Sequence, residues 1–563
     1  MLDVVSRSQR GRICEYRKGE GLLRTPAVLR CDGTGDSCVS LGENGRTVRI
    51  LGTEVSVDPE LLTSASSGVA CRPMTRDGIA VLRLPVTGEE IIPDDAEVVV
   101  IPNGFEIKNN FRTMVDQVIR VRKAAGYGRL VCILGIAEPA NLALLAYMGI
   151  DVVDDGYARA AGVSGFSLIP EGMLSGPEDY SEANCAEMER ELAKIHAFIA
   201  AGRLRELVDQ RSFSSAEEVA VLRLFDDVGY GYQEEACTIA GGRFSCNTTQ
   251  ALRRPDVARY QKTLSERYVP PEHKKVLLLL PCSAKKPYHI SKSHKLFSQA
   301  IHTAQHDTLV HEVIVTSPLG IVPRELDAFY PANSYDIPVT GEWKPEEKET
   351  IRRMLRELME KHHYEKVVCH LGEDAELVRE VCPDMVETVV GDNVSPKSLE
   401  NLDKALRDAT KGMKPSKWDD DRTESVRAAL SFQFGNDVAK ALIDENTVTM
   451  GKYPYWKIFR NVDGKKVQLG MMSAERAMFS LTPDGGEILM RLGRNVVEIT
   501  DFEIKGSLFA VGVVSADHRI RIGDDIVAVC NGKVKGVGVA AMSGTEMEQM
   551  KRGIAAKMRH YHC

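Results

Sequence analysis

The sequence lacks any apolar run near the roughly 20 residues that a membrane-spanning helix requires. Its N-terminus, MLDVVSRSQRGR, also lacks the apolar core of a secretory signal. The 13 cysteines are odd in number and have no disulfide-framework spacing. Unpaired thiols are normal in a reducing compartment, so we expect a cytoplasmic protein that does not contact membranes.

Motifs for metals and nucleotide cofactors are absent as well. There is no CxxC pair, no HExxH helix and no Cys/His quartet at zinc spacing. There is also no phosphate-binding P-loop and no GxGxxG dinucleotide motif. We therefore expect no metal and no bound cofactor.

A strongly basic character is missing too, since the formal net charge is −8. Residues 491–563, however, carry 11 Lys+Arg against 8 Asp+Glu, a local charge of +3. A basic C-terminal module on an acidic body indicates one localised contact with nucleic acid.

The 563 residues exceed the span of one hydrophobic core, so we expect about three to five domains. Near the N-terminus, strand-like segments at 96–104, 129–137 and 150–155 alternate with helix-like segments at 109–126 and 139–149. This βαβαβ order predicts parallel strands with helical crossovers. Pro270 and Pro271 interrupt a polar segment and mark a boundary. The first predicted domain therefore covers residues 1–268.

Residues 274–410 form a second predicted domain, a doubly wound α/β unit. Its candidate strands are 275–280, 311–317, 365–371 and 385–390, and helices are expected at 293–305, 345–361 and 374–381. The strands are rich in Val, Leu and Ile without alternation, which is typical of a sheet covered on both faces. A polar linker at 411–425 precedes a small α+β domain (426–490). An Asn-Gly turn at 531–532 predicts a hairpin in the strand-rich domain 491–563.

The segment PCSAKKPYHISKSH (281–294) directly follows the first strand of the second domain. Ligands of open α/β sheets bind at the carboxyl ends of strands, and Cys282 lies at such an end. Nearby cations and a helix N-terminus lower the pKa of a thiol and increase its thiolate fraction. Cys282 is therefore either a nucleophile or a buried structural cysteine, the commoner role of a free cysteine.

The other polar residues of this segment also have alternative interpretations. Lys285 and Lys286 are either solvated charges or partners of a phosphate or a developing anion. Ser291 and Ser293 either cap the following helix or bind substrate. His294 either caps, lies in the core or exchanges a proton with Cys282. The candidate substrate-binding residues are Ser283, Lys285, Ser291, Ser293 and Ser317.

Two parts of the chain resemble known families. The segment IGDDIVAVCNGKVKGVGVAAMSGTEM (522–547) resembles a PUA domain, a small β-barrel that binds structured RNA. GRICEYRKGEGLLRTPAVL (11–29), IDVVDDGYARAAG (150–162) and AAGRLRELVDQR (200–211) resemble archaeal tRNA-guanine transglycosylases. Those TIM-barrel enzymes exchange a tRNA guanine for 7-cyano-7-deazaguanine, but their Ser-Asp-Ser-Gly-Gly and Cys-x-Cys-x-x-Cys motifs are missing here.

PCSAKKPYHISKSH, placed between these two parts, is similar to the arrangement of the archaeosine synthases, which are transglycosylase paralogues. The resemblance implies a degenerate TIM-barrel-like domain (1–268) and a C-terminal PUA β-barrel (491–563). It implies a transferase that adds an amino donor to the nitrile of 7-cyano-7-deazaguanine in the tRNA D-loop. The donor would be lysine, glutamine or ammonia, with a radical-SAM partner where lysine is used. A homodimer is expected because transglycosylases often dimerise.

The chemistry implied by the resemblance fits the loop. We expect Cys282 to attack the nitrile and form a thioimidate. Lys286, Tyr288 and His294, in that order of preference, are candidates to protonate the nitrile nitrogen. The basic residues expected to contact tRNA phosphates are Arg519, Arg521, Lys533, Lys535, Lys551 and Arg552.

Two other functions remain open from the sequence. One is base exchange by a transglycosylase that uses Asp154 or Asp155. The other is a non-catalytic tRNA-binding scaffold whose thiol loop is structural.

Overall fold

The computed structural model describes residues 1–42, 45–57, 74–86, 92–304, 306–339, 342–473 and 475–561. The chain divides into two compact units. The first contains Met1–Cys237, Phe509–Gly512 and Met542–Ala555, and the second contains Thr238–Leu508, Val513–Ala541 and Ala556–Cys563. Within the described ranges, none of the helices has the length and apolar character needed to cross a membrane.

The first unit is built on a six-stranded sheet. In spatial order its strands are Ala27–Leu29, Val152–Asp154, Leu130–Ile133, Val98–Ile101, Ile79–Val81 and Met74–Arg76. All neighbours pair in parallel except the last two strands, which are antiparallel. The helices Phe111–Ala125 and Leu142–Tyr147 connect the three central strands. The predicted βαβαβ order is therefore confirmed.

Other elements surround this sheet. Three small antiparallel sheets are among them. The first contains Leu2–Ser8, Gly11–Lys18 and Gly21–Thr25, and the second contains Cys38–Gly42, Gly45–Ile50 and Thr53–Ser56. The third pairs Phe166–Ile169 with Gly172–Ser175. The remaining helices of five or more residues are Gly156–Val163, Ser181–Ala200, Leu204–Arg211, Ala216–Val228, Tyr230–Ala236 and Gly544–Gln549. The strand order of the main sheet has two ends, so its described strands do not close into a ring of eight. A TIM-barrel-like fold stays a prediction.

The second unit contains a five-stranded sheet around Val276–Pro281, here called the central strand. The spatial order is Gly320–Pro323, Val310–Thr316, Val276–Pro281, Lys366–Cys369 and Val386–Glu387. Only Gly320–Pro323, which is not among the predicted strands, is antiparallel to its neighbour. Val276 to Leu280 are fully buried, because the helices Lys292–Thr303, Pro345–Lys361 and Pro396–Ala409 accompany the sheet. The doubly wound topology stays a prediction.

Two boundaries differ from those read in the sequence. The units divide between Cys237 and Thr238, so the helix Pro255–Glu266 belongs to the second unit. Its apolar Val257, Tyr260 and Leu264 are buried in the core of that unit. The 411–425 segment is not all linker, because the helix Trp418–Phe434 begins within it. Three aspartates in its first turn favour a helix start through the helix dipole.

Three further sheets lie in the second unit, and the smallest pairs Phe244–Ser245 with Tyr335–Asp336 in parallel. Thr447–Met450, Lys457–Val462, Lys465–Ser473 and Met478–Leu481 form an antiparallel sheet, accompanied by the helices Asn436–Leu442 and Pro483–Leu492. The final sheet contains Val496–Ile499, Ser507–Phe509, Val513–Ala516, Asp525–Cys530, Lys533–Ala540 and Ile554–Tyr561. Asn531 (φ 53°) and Gly532 (φ 70°) form the two-residue turn between two of its strands, so the Asn-Gly hairpin is confirmed.

Candidate active site

Three parallel strands of the second unit end at the same edge of their sheet. The central strand ends at Pro281, its neighbour at Thr316 and the strand on its other side at Cys369. Residues 282–290, here called the thiol loop, leave this edge before the helix Lys292–Thr303. The parallel register thus brings Cys282, Thr316 and the loop after Cys369 together, as expected for a ligand site of an open sheet.

Cys282 is solvent-exposed, whereas the other ten cysteines among the described residues are buried or half-buried. Its pKa is raised, because desolvation by the surrounding atoms outweighs the charge of Lys286 and a hydrogen bond with Thr316. The Asp374 carboxylate raises it further. The sequence predicted a lowered pKa. The structure instead presents an accessible thiol with a raised pKa.

Lys286 interacts electrostatically with Cys282. Its Nζ lies 4.1 Å from the ring centroid of Tyr335 and 5.9 Å from that of Tyr288. Desolvation lowers the pKa of Lys286, while Cys282 and Asp336 oppose that shift. Burial lowers the pKa of an amine and raises that of a thiol, so desolvation disfavours the charged form of both Lys286 and Cys282.

Three hydroxyl groups form a buried cluster beneath this pair. Tyr288 donates to Thr316 Oγ1 at 3.2 Å, and the Tyr335 hydroxyl contacts both of them. Desolvation raises the pKa of both tyrosines, so their phenols stay protonated. All three side chains are buried. Tyr288 was predicted from the sequence as a site residue, whereas Thr316 and Tyr335 were not.

His294 has a different environment from the one expected of a proton donor. Its Nε2 donates to the Pro281 carbonyl at 3.0 Å, and its Nδ1 accepts from Arg324 at 2.8 Å. Desolvation and the Arg324 charge lower the pKa of His294 to about 3. Both ring nitrogens are thus engaged and the ring is neutral. The geometry supports a role in holding the end of the central strand.

The loop before His294 is fixed by a buried carboxylate, Asp327. It accepts from the backbone N–H of His289 at 2.7 Å and from Arg324 Nη1 at 3.1 Å. His289 Nδ1 also lies 2.9 Å from Asp327, and the Tyr453 hydroxyl contacts the same carboxylate. This network connects the thiol loop to Asp327, Arg324 and Tyr453, none of which was predicted from the sequence as a site residue.

The predicted substrate-binding serines have structural partners. Ser283 donates to the Lys285 carbonyl at 2.9 Å, which braces the thiol loop. Ser291 caps the helix Lys292–Thr303 by accepting from the His294 N–H at 3.3 Å, and Ser293 lies 3.4 Å from it. Ser317 donates to Glu347. Lys285 is exposed on the loop. Substrate binding by these residues stays a prediction.

The carboxylates considered for base exchange lie in the first unit. Asp154 is fully buried, paired with Arg46 and hydrogen-bonded by the Gly135 N–H at 2.7 Å. Asp155 accepts from the Cys31 N–H at 2.7 Å and from Arg159 Nε at 2.9 Å. These contacts satisfy both carboxylates within the protein.

The six predicted RNA-binding residues fall in both units. Lys551 and Arg552 belong to the first unit and are exposed. Arg519, Arg521, Lys533 and Lys535 belong to the second. Arg519 pairs with Asp517 at 2.8 Å and Lys535 with Asp501 at 3.1 Å, while Lys533 is exposed. No group of three or more His, Cys, Asp or Glu side chains in the described part of the chain is arranged to hold a metal.

Two domain families match parts of this chain. A domain of unknown function (DUF5591) matches residues 257–406, which include the thiol loop, and a PUA domain matches residues 497–562. A Thermoplasma acidophilum protein named archaeosine synthase subunit alpha is 32% identical, over 84% of this chain and 89% of that protein.

Two further relatives are named as two different enzymes. A Haloferax volcanii archaeosine synthase is 30% identical, over 84% of each protein. A Methanobrevibacter smithii tRNA-guanine(15) transglycosylase is 24% identical, over 66% of this chain and 52% of that protein.

Proposed function

The chain belongs to the archaeosine synthase family, and we propose that it is a transferase that adds an amine to the nitrile of 7-cyano-7-deazaguanine in tRNA. The observation that carries this proposal is the exposed Cys282 at a strand end, beside a lysine whose pKa is lowered. A nitrile carbon is a soft electrophile and a thiolate attacks it readily. The PUA domain supports a structured RNA as the substrate.

The first step joins Cys282 to the nitrile. Lys286 takes the thiol proton, and the thiolate adds to the nitrile carbon. The C≡N bond becomes C=N, and negative charge develops on nitrogen. The Lys286 ammonium returns its proton to that nitrogen, which gives a neutral thioimidate and a neutral amine.

The second step releases Cys282. An amine R–NH₂ attacks the thioimidate carbon and forms a tetrahedral adduct. That adduct collapses with loss of the thiolate, which regains a proton, and leaves an amidine. The sum is R–NH₂ plus nitrile giving R–NH–C(=NH), without oxidant or reductant.

The hydroxyl cluster below Cys282 supports the same steps. Thr316 hydrogen-bonds Cys282 and is itself held by Tyr288 and Tyr335. A thiolate gains stability from such a bond, so Thr316 orients Cys282 and eases its departure in the second step. Tyr335 also faces Lys286 with its ring. We assign Thr316, Tyr288, Tyr335 and His294 to positioning rather than to contact with the nitrile.

The amino donor, the partners and the fold names belong to this proposal too. Lysine, glutamine and ammonia remain candidate donors, and a lysine adduct would require a radical-SAM partner for cleavage. We also retain the homodimer, which sedimentation of the purified chain tests. The target base must leave the tRNA stack to reach Cys282. The degenerate TIM-barrel-like first unit is proposed from the family resemblance, and the doubly wound second unit from its strands rich in Val, Leu and Ile.

Mass spectrometry of nucleosides from tRNA carrying 7-cyano-7-deazaguanine tests the function. Purified enzyme receives lysine, glutamine or ammonium in parallel, and a mass gain equal to one donor is expected in at least one reaction. Without donor, we expect a denaturation-resistant enzyme–tRNA adduct that Cys282→Ser does not form. An unchanged nitrile with every donor would contradict the proposal and favour a non-catalytic scaffold.

A further inference from the structure

The first unit contains a cleft of about 460 Å³, a size typical of small-ligand sites. Its walls come from residues that follow three parallel strands and from the helix Ala216–Val228. Phe105 follows Val98–Ile101, Glu138 follows Leu130–Ile133, and Tyr157 follows Val152–Asp154. The cleft therefore lies at the edge of the sheet where α/β proteins bind ligands. None of the steps assigned to Cys282 uses it.

A buried carboxyl group in the lining of this cleft has an atom without a partner. Glu218 is 8% exposed, and its Oε2 has no hydrogen-bond partner in the structure. Its backbone is fixed, because the Glu218 N–H donates to the Ser215 Oγ that caps the helix. Leaving a buried acceptor unpaired is costly, and proteins usually satisfy such groups. A ligand that donates a hydrogen bond would remove this cost.

The charges around Glu218 select the kind of donor. Lys108 pairs with Glu138 at 2.6 Å, while Glu217 on the same helix is exposed at the cleft. Desolvation raises the pKa of Glu218 to about 7; Glu138 and Glu217 add to the shift and Lys108 opposes it. When all are ionised, three carboxylates face one ammonium in the lining. Such a field attracts cations and disfavours phosphates.

The mouth of the cleft offers apolar and aromatic surface. Phe105 is 62% exposed and Met173 is 56% exposed. The Tyr157 ring already accepts a cation, since Lys108 Nζ lies 3.5 Å from its centroid. Aliphatic chains that carry a charged head pack their methylene groups on such surface, and aromatic faces attract ammonium groups.

We propose that this cleft binds a small organic cation with a primary ammonium group on an aliphatic chain. The ammonium would donate to Glu218 Oε2, and the methylene groups would lie against Phe105 and Met173. Both the side chain of a basic amino acid and a diamine present this chemistry. The proposal does not depend on the Cys282 reaction, because it is tested by binding alone.

Isothermal titration of the full chain with L-lysine and with putrescine tests the proposal, with norleucine, whose side chain carries no ammonium group, as the control. We expect saturable binding of at least one probe and none of norleucine. Glu218→Gln should weaken binding about tenfold or more, since a charge-assisted hydrogen bond is lost. Glu217→Gln, at the exposed rim, should weaken it only about twofold. Phe105→Ser, at an exposed position, should also weaken binding.

Proton release gives a second readout. A bound cation favours ionised Glu218, so binding near pH 7 should release about half a proton and binding at pH 9 almost none. Titration in buffers of different ionisation enthalpy measures this number, which should vanish in Glu218→Gln. Lysine binding alone would identify an amino acid as ligand, and putrescine binding alone a diamine. The absence of saturable binding of both probes would overturn the proposal, as would wild-type affinity in both Glu218→Gln and Phe105→Ser.

Discussion

Each unit places acidic or nucleophilic side chains at the carboxyl end of a parallel sheet, but with opposite outcomes. In the second unit Cys282 is exposed, and its partners are a desolvated lysine and one hydroxyl. In the first unit Asp154 and Asp155 are buried beside Arg46 and Arg159. A position at a strand end therefore does not by itself make a side chain a nucleophile. A nucleophile must also keep a reactive atom that the protein leaves accessible.

Desolvation acts in both regions with different results. At the thiol loop it moves the pKa of Cys282 up and that of Lys286 down, which disfavours the charged form of each group. In the first unit Arg12 and Arg122 bridge buried Asp151 at 2.8 and 3.1 Å, and its pKa is lowered. The charges of Arg12 and Arg122 thus outweigh the desolvation of Asp151, whereas the charge of Lys286 does not outweigh the desolvation of Cys282.

The largest expected effect is on the rate of nitrile addition, and it comes from replacing one sulfur atom by oxygen. The same replacement at the strand end of the other unit serves as the comparison. Cys282→Ser should lower nitrile addition on the order of 10³-fold or more, because an alcohol is a far weaker nucleophile than a thiolate. Cys31→Ser changes a thiol at the strand end of the first unit, 3.6 Å from Asp154, and should leave the rate nearly unchanged. The nucleoside mass assay measures both. A Cys282→Ser enzyme with wild-type rates would remove the thioimidate mechanism.

The next effect concerns the base. Lys286→Met should lower kcat about 10²- to 10³-fold, because no amine then takes the proton of Cys282 and transfers it to the nitrile nitrogen. The pKa of Lys286 is lowered, so the wild-type rate should rise with pH as Lys286 loses its proton, below the usual lysine range. This limb of the pH profile should be absent in the variant. Lys285→Met is the matched control, and an equal loss of kcat there would argue against a specific base.

The smallest effect on activity is expected in the first unit. Asp154→Asn leaves the Arg46 guanidinium without its carboxylate, which should cost roughly 1–3 kcal/mol of stability. The rate of nitrile addition should stay close to that of the wild type. Thermal unfolding and the nucleoside assay together measure both effects. Release of labelled guanine from tRNA by the wild type and its loss in Asp154→Asn would instead show base exchange.

Much of the fold could be predicted because its signals are local. The apolar run Val276–Leu280 predicted a buried strand, and the helix Pro345–Lys361 begins and ends as expected. The Asn531–Gly532 turn followed from two residues that adopt positive φ. The strand Gly320–Pro323 was missed because its apolar segment is too short to predict a strand. It pairs with Val310–Thr316 only because the chain turns back sharply between the two.

The candidate site was predicted in part. Cys282 and Lys286 were found because they share one loop, whereas Tyr335 comes from a separate short strand beside Phe244–Ser245. His294 was expected to exchange protons, but Arg324, thirty residues away in sequence, holds its Nδ1. Such pairings depend on how the chain folds back on itself, which the spacing of neighbouring residues does not predict.

The sequence by itself determined the alternation of strands and helices, the thiol loop and the family to which the chain belongs. These follow from short-range patterning and from contiguous motifs. Only the tertiary structure decided that Cys282 is exposed, that Asp154 and Asp155 are satisfied and that Glu218 has an unpartnered oxygen. The reason is physical. Desolvation and hydrogen-bond satisfaction depend on every group that packs around an atom, and those groups come from distant parts of the chain.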